Sequence, residues 1–434
     1  MYKIGFITLG CKVNIYESNA IKDEFIKKGY LVSDADPSCD AFIINTCSVT
    51  NQADAKSRQM IHKCHKLNPN AIIAVMGCYS QSNPEAKTLP DIDILLGNNN
   101  KHEAVTKIIE MLNTKKYRYV NLLDILKEKE YEPLEVTMFD HTRAFVKIED
   151  GCQNFCTYCV IPFARGPVRS KDADKVIEEI KGVSERGYKE VVLSGIDTGK
   201  YYDKKTNTNF SKLCRRIIDE VPGIKRLRIS SIEITQITPD FIELLHDSNV
   251  IADHMHLPIQ SGSDNVLNMM KRFYTTKEFK ERVDMIKSVR PDISLSSDVI
   301  VGFPTETDLD HKNSMKFIES LGMTHLHVFP FSKRAGTRAA DFPDLDPQIK
   351  KVRTKEMMDL SYKLERRYNS KFLDKTLDVI FEQKDNKGRI VGHSSNFIEI
   401  AVDGDESLIG RYANVHVKSI DGLKLIGDIV SFID

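Results

Sequence analysis

Short apolar strands alternate with helical segments along most of this 434-residue chain, and this alternation restricts its possible folds. Between residues 2 and 112 the predicted strands are Lys3–Leu9, Ala41–Asn45, Ile72–Met76 and Ile92–Leu96. Strands that alternate with helices form parallel sheets that helices cover on both faces. The sequence therefore predicts an α/β fold whose first domain, residues 1–113, is a flavodoxin-like parallel sheet.

The rest of the chain divides into a linker and two further predicted domains. Residues 114–140 are loosely patterned and are predicted to be a linker. Six strand–helix units in residues 141–368 predict an open, partial (βα)6 barrel, whose functional groups should lie at the C-terminal ends of its strands. Residues 369–434 contain short β-rich runs broken by Gly, Asp and Asn, which predict a small all-β barrel of OB-like size.

Three cysteines directly follow the first predicted barrel strand, in the run GCQNFCTYCVIPFARG. These barrel cysteines are Cys152, Cys156 and Cys159. Three thiolates at this spacing can hold three irons of a cubane [4Fe–4S] cluster, which leaves the fourth iron open to a small molecule, whereas ferredoxin-type carriers supply a fourth cysteine. A structural zinc knuckle is the alternative, but zinc needs four ligands and no fourth Cys or His lies near in the sequence.

Three other cysteines, called here the sheet cysteines, stand just past strand ends of the first domain: Cys11, Cys47 and Cys78. Ligands of open α/β sheets bind outside the carboxyl ends of the strands, so these cysteines are expected to converge on one edge. Cys39 precedes its strand and Cys64 lies within a helix, so neither is expected there. The pattern predicts a second cluster with an open iron; ordinary buried cysteines are the alternative.

The bulk composition favours a cytoplasmic protein without a membrane partner. Nine cysteines without a secretion signal favour reduced thiols and metal ligation over disulfides. The 62 basic and 62 acidic residues balance, so no overall field indicates a nucleic-acid or membrane partner. No apolar run approaches membrane-spanning length.

The barrel cysteines, with the aromatic Tyr158 before the last of them, resemble the motif of radical S-adenosylmethionine (SAM) enzymes. With the segments HLPIQSGSDNVLNMMKRFYT (256–275), DVIVGFPTET (298–307) and FPFSKRAGTRAA (329–340), the whole chain resembles the methylthiotransferase family of those enzymes. The resemblance implies that the barrel cysteines hold the SAM cluster and the sheet cysteines an auxiliary [4Fe–4S] cluster. It also implies a C-terminal RNA-binding domain named TRAM.

The resemblance implies further site residues and partners. The positions that match SAM-lining segments are Tyr158, Gly195, Ser230, Glu233, Gln260 and Gly302. Ordinary packing at strand ends is the alternative for each of them. The resemblance also implies that SAM is both the methyl donor and the source of a 5′-deoxyadenosyl radical. An electron donor such as flavodoxin or ferredoxin would reduce the clusters.

Members of the family act on tRNA adenosine carrying isopentenyl, on tRNA adenosine carrying threonylcarbamoyl, or on an aspartate of a ribosomal protein. The segments TLGCKVNIYES and NTCSVTNQADAKSRQMI resemble the threonylcarbamoyl branch, which acts next to the anticodon. Lys12 or Arg58 is then a candidate partner of the threonylcarbamoyl carboxylate, with a solvated or structural charge as the alternative.

The alternative to an enzyme is a non-catalytic Fe–S or zinc protein that binds RNA through its last domain. From Ser370 onward, however, the chain has eight Lys and Arg but eleven Asp and Glu, which is acidic for an RNA-binding barrel.

Overall fold

A computed structural model describes residues 1–139 and 142–433 of the protein. The chain begins with a six-stranded parallel sheet in the order β2-β1-β3-β4-β5-β6. Its strands are β1 (Lys3–Thr8), β2 (Leu31–Asp34), β3 (Ala41–Thr46), β4 (Ile72–Gly77), β5 (Ile94–Leu96) and β6 (Tyr119–Asn121). Its helices are α1 (Lys12–Lys27), α2 (Asn51–Leu67), α3 (Cys78–Ser82) and α4 (Glu103–Asn113).

The sequence pattern explains this first sheet. Every residue of β3 and β4 is buried, as expected for central parallel strands covered on both faces. The order of the first five strands is that of flavodoxin-like folds, with the chain reversing direction across the sheet between β1 and β3. The sixth strand, β6, lies within the stretch predicted to be a linker and pairs with β5.

The middle of the chain forms an open barrel, called here the central barrel. Its parallel strands form two sheets, β13-β10-β7 and β14-β15-β16, joined by a bridge between Leu227 and Ile251. The strands are β7 (Ala144–Lys147), β8 (Glu149–Asp150), β9 (Arg169–Ser170), β10 (Glu190–Ser194), β11 (Tyr202–Asp203), β12 (Thr208–Asn209), β13 (Arg226–Ile229), β14 (His254–His256), β15 (Ser294–Val301) and β16 (His325–Pro330). The helices are α5 (Ile161–Arg165), α6 (Ala173–Glu185), α7 (Phe210–Glu220), α8 (Pro239–Asp247), α9 (Asp264–Met269), α10 (Thr276–Val289), α11 (Asp308–Leu321) and α12 (Pro347–Asn369).

The last part of the chain is a closed barrel with the strand order β17-β18-β19-β21-β20, called here the C-terminal barrel. Its strands are β17 (Thr376–Lys384), β18 (Ile390–Ser394), β19 (Glu399–Val402), β20 (Tyr412–Asp421) and β21 (Lys424–Phe432). The parallel sheets and this closed barrel confirm the predicted fold class. Within the described ranges, 1–139 and 142–433, we find no helix that combines the length and the apolar character needed to span a membrane.

Two buried arginines of β13 attach the C-terminal barrel to the central barrel. Arg226 donates to the Asp378 carboxylate at 2.8 Å, and Arg228 donates to the Ser394 carbonyl oxygen at 3.1 Å. Glu190 of β10 accepts from both arginines, at 2.8 and 2.7 Å. Burial raises the pKa of Glu190, but Arg228 and Arg226 outweigh burial and lower it to about 2. An ionised carboxylate therefore holds both arginines at this interface.

Candidate active site

The barrel cysteines lie in the loop between β8 and α5, past the first strand of the central barrel. The Cys152 N–H donates to the Gly166 carbonyl oxygen at 3.0 Å, and the Cys159 N–H donates to the Cys156 carbonyl oxygen at 3.0 Å. Gly151 has φ +93°, and a Cβ at this position would collide with the carbonyl oxygen of Pro167. The loop thus needs a glycine before its first cysteine, and it gathers the three thiols at one place.

The surroundings of the barrel cysteines favour a bound metal cluster. Burial, together with neighbouring Cys156, raises the pKa of Cys159 to about 12. Burial also raises the pKa of Cys152. Ligation requires thiolates, so the positive charge of a metal must deprotonate them. Arg272 Nη1 lies 3.3 Å from Cys156 Sγ and supplies a second positive charge. The barrel cysteines can therefore supply three ligands of a cluster.

The sheet cysteines converge at one edge of the first sheet. They follow β1, β3 and β4, which are adjacent strands. Burial, together with the thiols of Cys78 and Cys11, raises the pKa of Cys47 to about 11, so the three sulfurs interact. Gly10 has φ +99°, and a Cβ there would lie 2.9 Å from Cys47 Cβ, so glycine permits this approach. This agrees with the convergence expected from the strand ends.

Two polar side chains next to the sheet cysteines fit an anionic group held by these thiols. Asn98 Nδ2 lies 3.6 Å from Cys78 Sγ. Arg165, at the end of α5, is fully buried and interacts electrostatically with all three sheet cysteines. Its Nε is buried without a hydrogen-bond partner among the described residues. A positively charged donor without a partner, next to the sheet cysteines, can donate a hydrogen bond to a sulfur of a bound cluster.

Several predicted SAM-lining residues surround the barrel cysteines. Glu233 forms an ion pair with Arg272, which also contacts Cys156. Burial raises the pKa of Tyr158, and Arg272, Cys156 and Cys159 also act on it, so this tyrosine lies among them.

Gly195 follows β10, where a Cβ would lie 2.7 Å from Glu149 Oε2. That carboxylate oxygen accepts the Ile196 and Asp197 N–H groups at 2.8 Å each, so Gly195 leaves space for this contact.

Gln260 and Gly302 shape the backbone past β14 and β15. Gln260 has φ +63°, and its N–H donates to the Asp298 carbonyl oxygen at 2.9 Å. Gly302 has φ +67°, and a Cβ there would lie 2.6 Å from Lys350 Cγ. Its N–H donates to Glu306 at 2.7 Å. Both residues have positive φ values that shape the backbone past these strands, and their place in lining SAM stays a prediction.

All three parts of the protein line one cavity of about 720 Å³. Cys11 and Lys12 border it from the first domain, Ser230 from the end of β13, and His393 and residues 396–399 from the C-terminal barrel. Residues of β14, β15, β16 and α12 also line it. Lys12 Nζ lies 3.5 Å from Ser230 Oγ. Burial, together with the charges of Arg143 and Arg228, lowers the pKa of Lys12 to about 8. The cavity therefore joins a sheet cysteine to a predicted SAM-lining residue.

The two candidate substrate residues occupy different places. Lys12 faces the cavity, whereas Arg58 on α2 lies outside its lining. Arg58 pairs with Glu85 at 3.7 Å and stacks over the Tyr79 ring at 6.0 Å from its centroid. Of the two candidates, Lys12 is therefore the one that borders this cavity.

Histidines that the sequence analysis did not single out line the same cavity. His256 Nε2 lies 3.4 Å from Asp298 Oδ1, and its Nδ1 lies 2.9 Å from Ser296 Oγ. Ligand atoms of His256, Asp298 and His327 all lie within 4.8 Å of one another. Such a group can hydrogen-bond a polar ligand or hold a divalent cation. The period-2 alternation of polar residues on β14, β15 and β16 is the sequence signal for this lining.

Comparison with known proteins agrees with this geometry. Residues 3–97 match the uncharacterized protein family UPF0004, and residues 146–318 match the radical SAM superfamily. The threonylcarbamoyladenosine tRNA methylthiotransferase MtaB of Bacillus subtilis is 41% identical over 96% of this chain and 94% of its own length. The chain belongs to the radical SAM methylthiotransferase family. A radical SAM methylthiotransferase uses SAM and a [4Fe–4S] cluster, and both the predicted family and the predicted enzyme class are confirmed.

Other relatives of this methylthiotransferase carry two different names. MtaB of Aquifex aeolicus is 36% identical over 95% of this chain and 99% of its own length. A tRNA-2-methylthio-N(6)-dimethylallyladenosine synthase of Thermoanaerobacter is 31% identical over 98% of this chain and 92% of its own length. Among solved structures, the radical SAM methyltransferase TsrM of Kitasatospora setae superposes with a TM-score of 0.54 at 15% identity, covering 76% of this chain and 75% of TsrM, which shows a shared fold.

Proposed function

We propose that this methylthiotransferase converts N6-threonylcarbamoyladenosine next to the anticodon of tRNA to its 2-methylthio derivative. The observation that carries the proposal is the single cavity bordered by Cys11, Lys12 and Ser230. Two relatives named for threonylcarbamoyladenosine are 41% and 36% identical to the chain, and one named for dimethylallyladenosine is 31% identical. This difference favours threonylcarbamoyl over isopentenyl.

In this proposal the barrel cysteines hold the SAM cluster and the sheet cysteines hold a second [4Fe–4S] cluster. When bound, SAM and the two clusters supply a 5′-deoxyadenosyl radical, a methyl group and sulfur. The chain's own part is to position and enclose the substrate. The walls of the cavity hold the adenine next to Cys11 and Ser230, and they exclude water from the reacting carbon.

Lys12 is the proposed partner of the threonylcarbamoyl carboxylate. Its ammonium lies in the cavity directly after Cys11, and its hydrogen bond to Ser230 is long, at 3.5 Å. A carboxylate that enters the cavity would replace this weak contact with a charge-assisted hydrogen bond. The isopentenyl group is apolar and offers no such partner, so Lys12 would favour threonylcarbamoyl.

We also propose how tRNA contacts the surface. In the C-terminal barrel, Lys387 and Arg389 both pair with Asp421, at 2.6 and 3.4 Å, and Arg389 also pairs with Asp385 at 2.9 Å, so carboxylates oppose these two positive charges. The helix α2, which begins four residues after Cys47, carries three exposed lysines: Lys56, Lys63 and Lys66. These lysines are the proposed phosphate contacts.

The remaining assignments keep the predicted boundaries. We propose a methylthiotransferase domain at 1–113, a connecting segment at 114–140, a radical SAM core at 141–368 and a TRAM domain at 369–434. The connecting segment includes β6, which completes the first sheet. A cytoplasmic location and reduction by a flavodoxin or ferredoxin complete the proposal.

Mass spectrometry of tRNA nucleosides tests the proposed reaction. The anaerobically reconstituted protein is incubated with SAM, a reductant and tRNA that carries threonylcarbamoyladenosine. The 2-methylthio derivative is expected, and Cys47→Ala and Cys156→Ala should each abolish it. The same tRNA with isopentenyladenosine is the matched control. Methylthiolation of the control alone, or cleavage of SAM without any change in either tRNA, would refute the substrate assignment.

A further inference from the structure

A buried network of charged side chains lies between the barrel cysteines and the sheet cysteines. Two carboxylates, Glu17 and Asp150, are shared by four cations, so positive charges exceed negative ones by two. The cations are Lys101, Lys147, Arg165 and Arg169. All six side chains are at most 3% exposed. Uncompensated buried charge is costly, which points to an anion next to this network.

Arg165 is the member of the network that reaches the sheet cysteines. Its Nη1 donates to Glu17 and to Asp150, at 3.0 Å each, and its Nη2 donates to Asn14 Oδ1 at 2.5 Å. Asn14 in turn donates to the carbonyl oxygens of Leu9 and Thr46, which border the loops of Cys11 and Cys47. These contacts fix both terminal nitrogens of Arg165 and leave its Nε without a partner among the described residues.

The side of Arg165 toward Cys78 is fixed as well. Asn98 donates to the Ala164 carbonyl oxygen at 2.7 Å and lies 3.6 Å from Cys78 Sγ, so the end of α5 is held against that cysteine. A cubane cluster held by three thiolates is anionic and becomes more so when reduced. It therefore has the charge that the buried network lacks, and its sulfurs are acceptors for an N–H donor.

We infer that Arg165 positions the second cluster and tunes its reduction potential, its Nε–H donating to a cluster or thiolate sulfur. This inference rests on the proposed second cluster. Hydrogen bonds to sulfur and nearby positive charge both stabilise the reduced, more anionic form and so raise the potential. Arg165 also lies six residues after Cys159, so one segment carries a ligand of the first cluster and the counter-charge of the second.

The test measures the potential of the second cluster alone. In the full chain with Cys152→Ala, Cys156→Ala and Cys159→Ala, the remaining cluster is titrated under EPR detection. Arg165→Gln removes the charge and the Nε donor, and the potential should become more negative. Arg165→Lys keeps the charge and removes that donor, and its shift should be smaller. Glu17→Gln removes a negative charge, and the potential should move in the opposite direction, which loosened packing alone would not produce.

The outcomes separate the inference from the proposal on which it rests. Opposite shifts for Glu17→Gln and Arg165→Gln support the role of Arg165. An iron-loaded protein whose potential is the same in these variants, or moves in the same direction in both, overturns it and leaves the second cluster intact. If the Arg165→Gln protein does not fold, Arg165→Lys and Glu17→Gln decide the question. Absence of iron from the triple-alanine parent overturns the second cluster itself. Arg215→Gln, at an exposed arginine that pairs with Asp247, is the matched control and should not shift the potential.

Discussion

Replacement of Lys12 by methionine tests the proposed recognition of the threonylcarbamoyl carboxylate. Methionine keeps most of the side-chain volume and removes the ammonium that lies 3.5 Å from Ser230 in the cavity. A hydrogen bond to a charged group contributes about 1.5–3 kcal/mol net. Arg143 and Arg228 remain close enough to act on this position and keep it positive, so we take the lower end of the range. Affinity for tRNA with threonylcarbamoyladenosine should then fall about tenfold.

The assay compares two tRNAs that differ only in the modified adenosine, which carries threonylcarbamoyl in one and isopentenyl in the other. Dissociation constants are measured at one fixed salt concentration, because phosphate contacts depend steeply on salt. The phosphate contacts are common to both tRNAs, so the ratio of the two constants isolates the carboxylate. Lys12→Met should reduce the preference for threonylcarbamoyladenosine about tenfold, and Lys12→Arg should preserve it. If the ratio is the same in Lys12→Met as in the unaltered protein, Lys12 does not bind the carboxylate and the argument from its position fails.

Three further results are expected. Between pH 4.5 and about 2, the protein should lose about 3 kcal/mol of stability as Glu190 is protonated, because this group stabilises the fold only while ionised; acid unfolding of Glu190→Gln, measured by circular dichroism, should lack this step. Arg226→Met removes the cation that pairs with Asp378, so hydrogen exchange of residues 393–397 should rise, and unchanged protection would contradict the proposed docking. Cys214→Ala should lower stability by about 1 kcal/mol and leave the iron content unchanged, whereas iron loss would make Cys214 a ligand.

The strands of the first sheet and of the central barrel were predictable because they are short, apolar and bounded by turn residues. Two elements of the first sheet that the sequence did not indicate, β2 and β6, are its edge strands. Leu31–Asp34 (β2) has no fully buried residue, and Tyr119–Asn121 (β6) is held mainly by pairing with β5. Neither has the apolar pattern that identifies a strand in isolation, since a neighbouring strand supplies the stabilising contacts.

The cysteines and the charged residues differ in how far local sequence identifies them. The barrel cysteines are recognisable from spacing alone, and the sheet cysteines from the rule that ligands bind past strand ends. Arg165 and Arg272 offer no such signal, because a charged residue in a sequence is usually solvated. Arg165 acquires its role from Glu17, 148 positions away, and Arg272 from Cys156, 116 positions away. Such contacts exist only once the separate parts of the chain have assembled.

The acidic character of the C-terminal barrel agrees with its place in the cavity. Phe397 of this barrel stacks on His254 of the central barrel, with 4.8 Å between ring centroids, and the Arg228 guanidinium lies 4.8 Å from its ring. At the contact between the two barrels, Arg226 and Arg228 of the central barrel supply the positive charges. The C-terminal barrel contributes the carboxylate and carbonyl oxygens that accept from them. A surface selected to dock on arginines needs acidic groups even if the domain also approaches RNA. Because His393 and residues 396–399 line the cavity, loosening this contact would open the site to water.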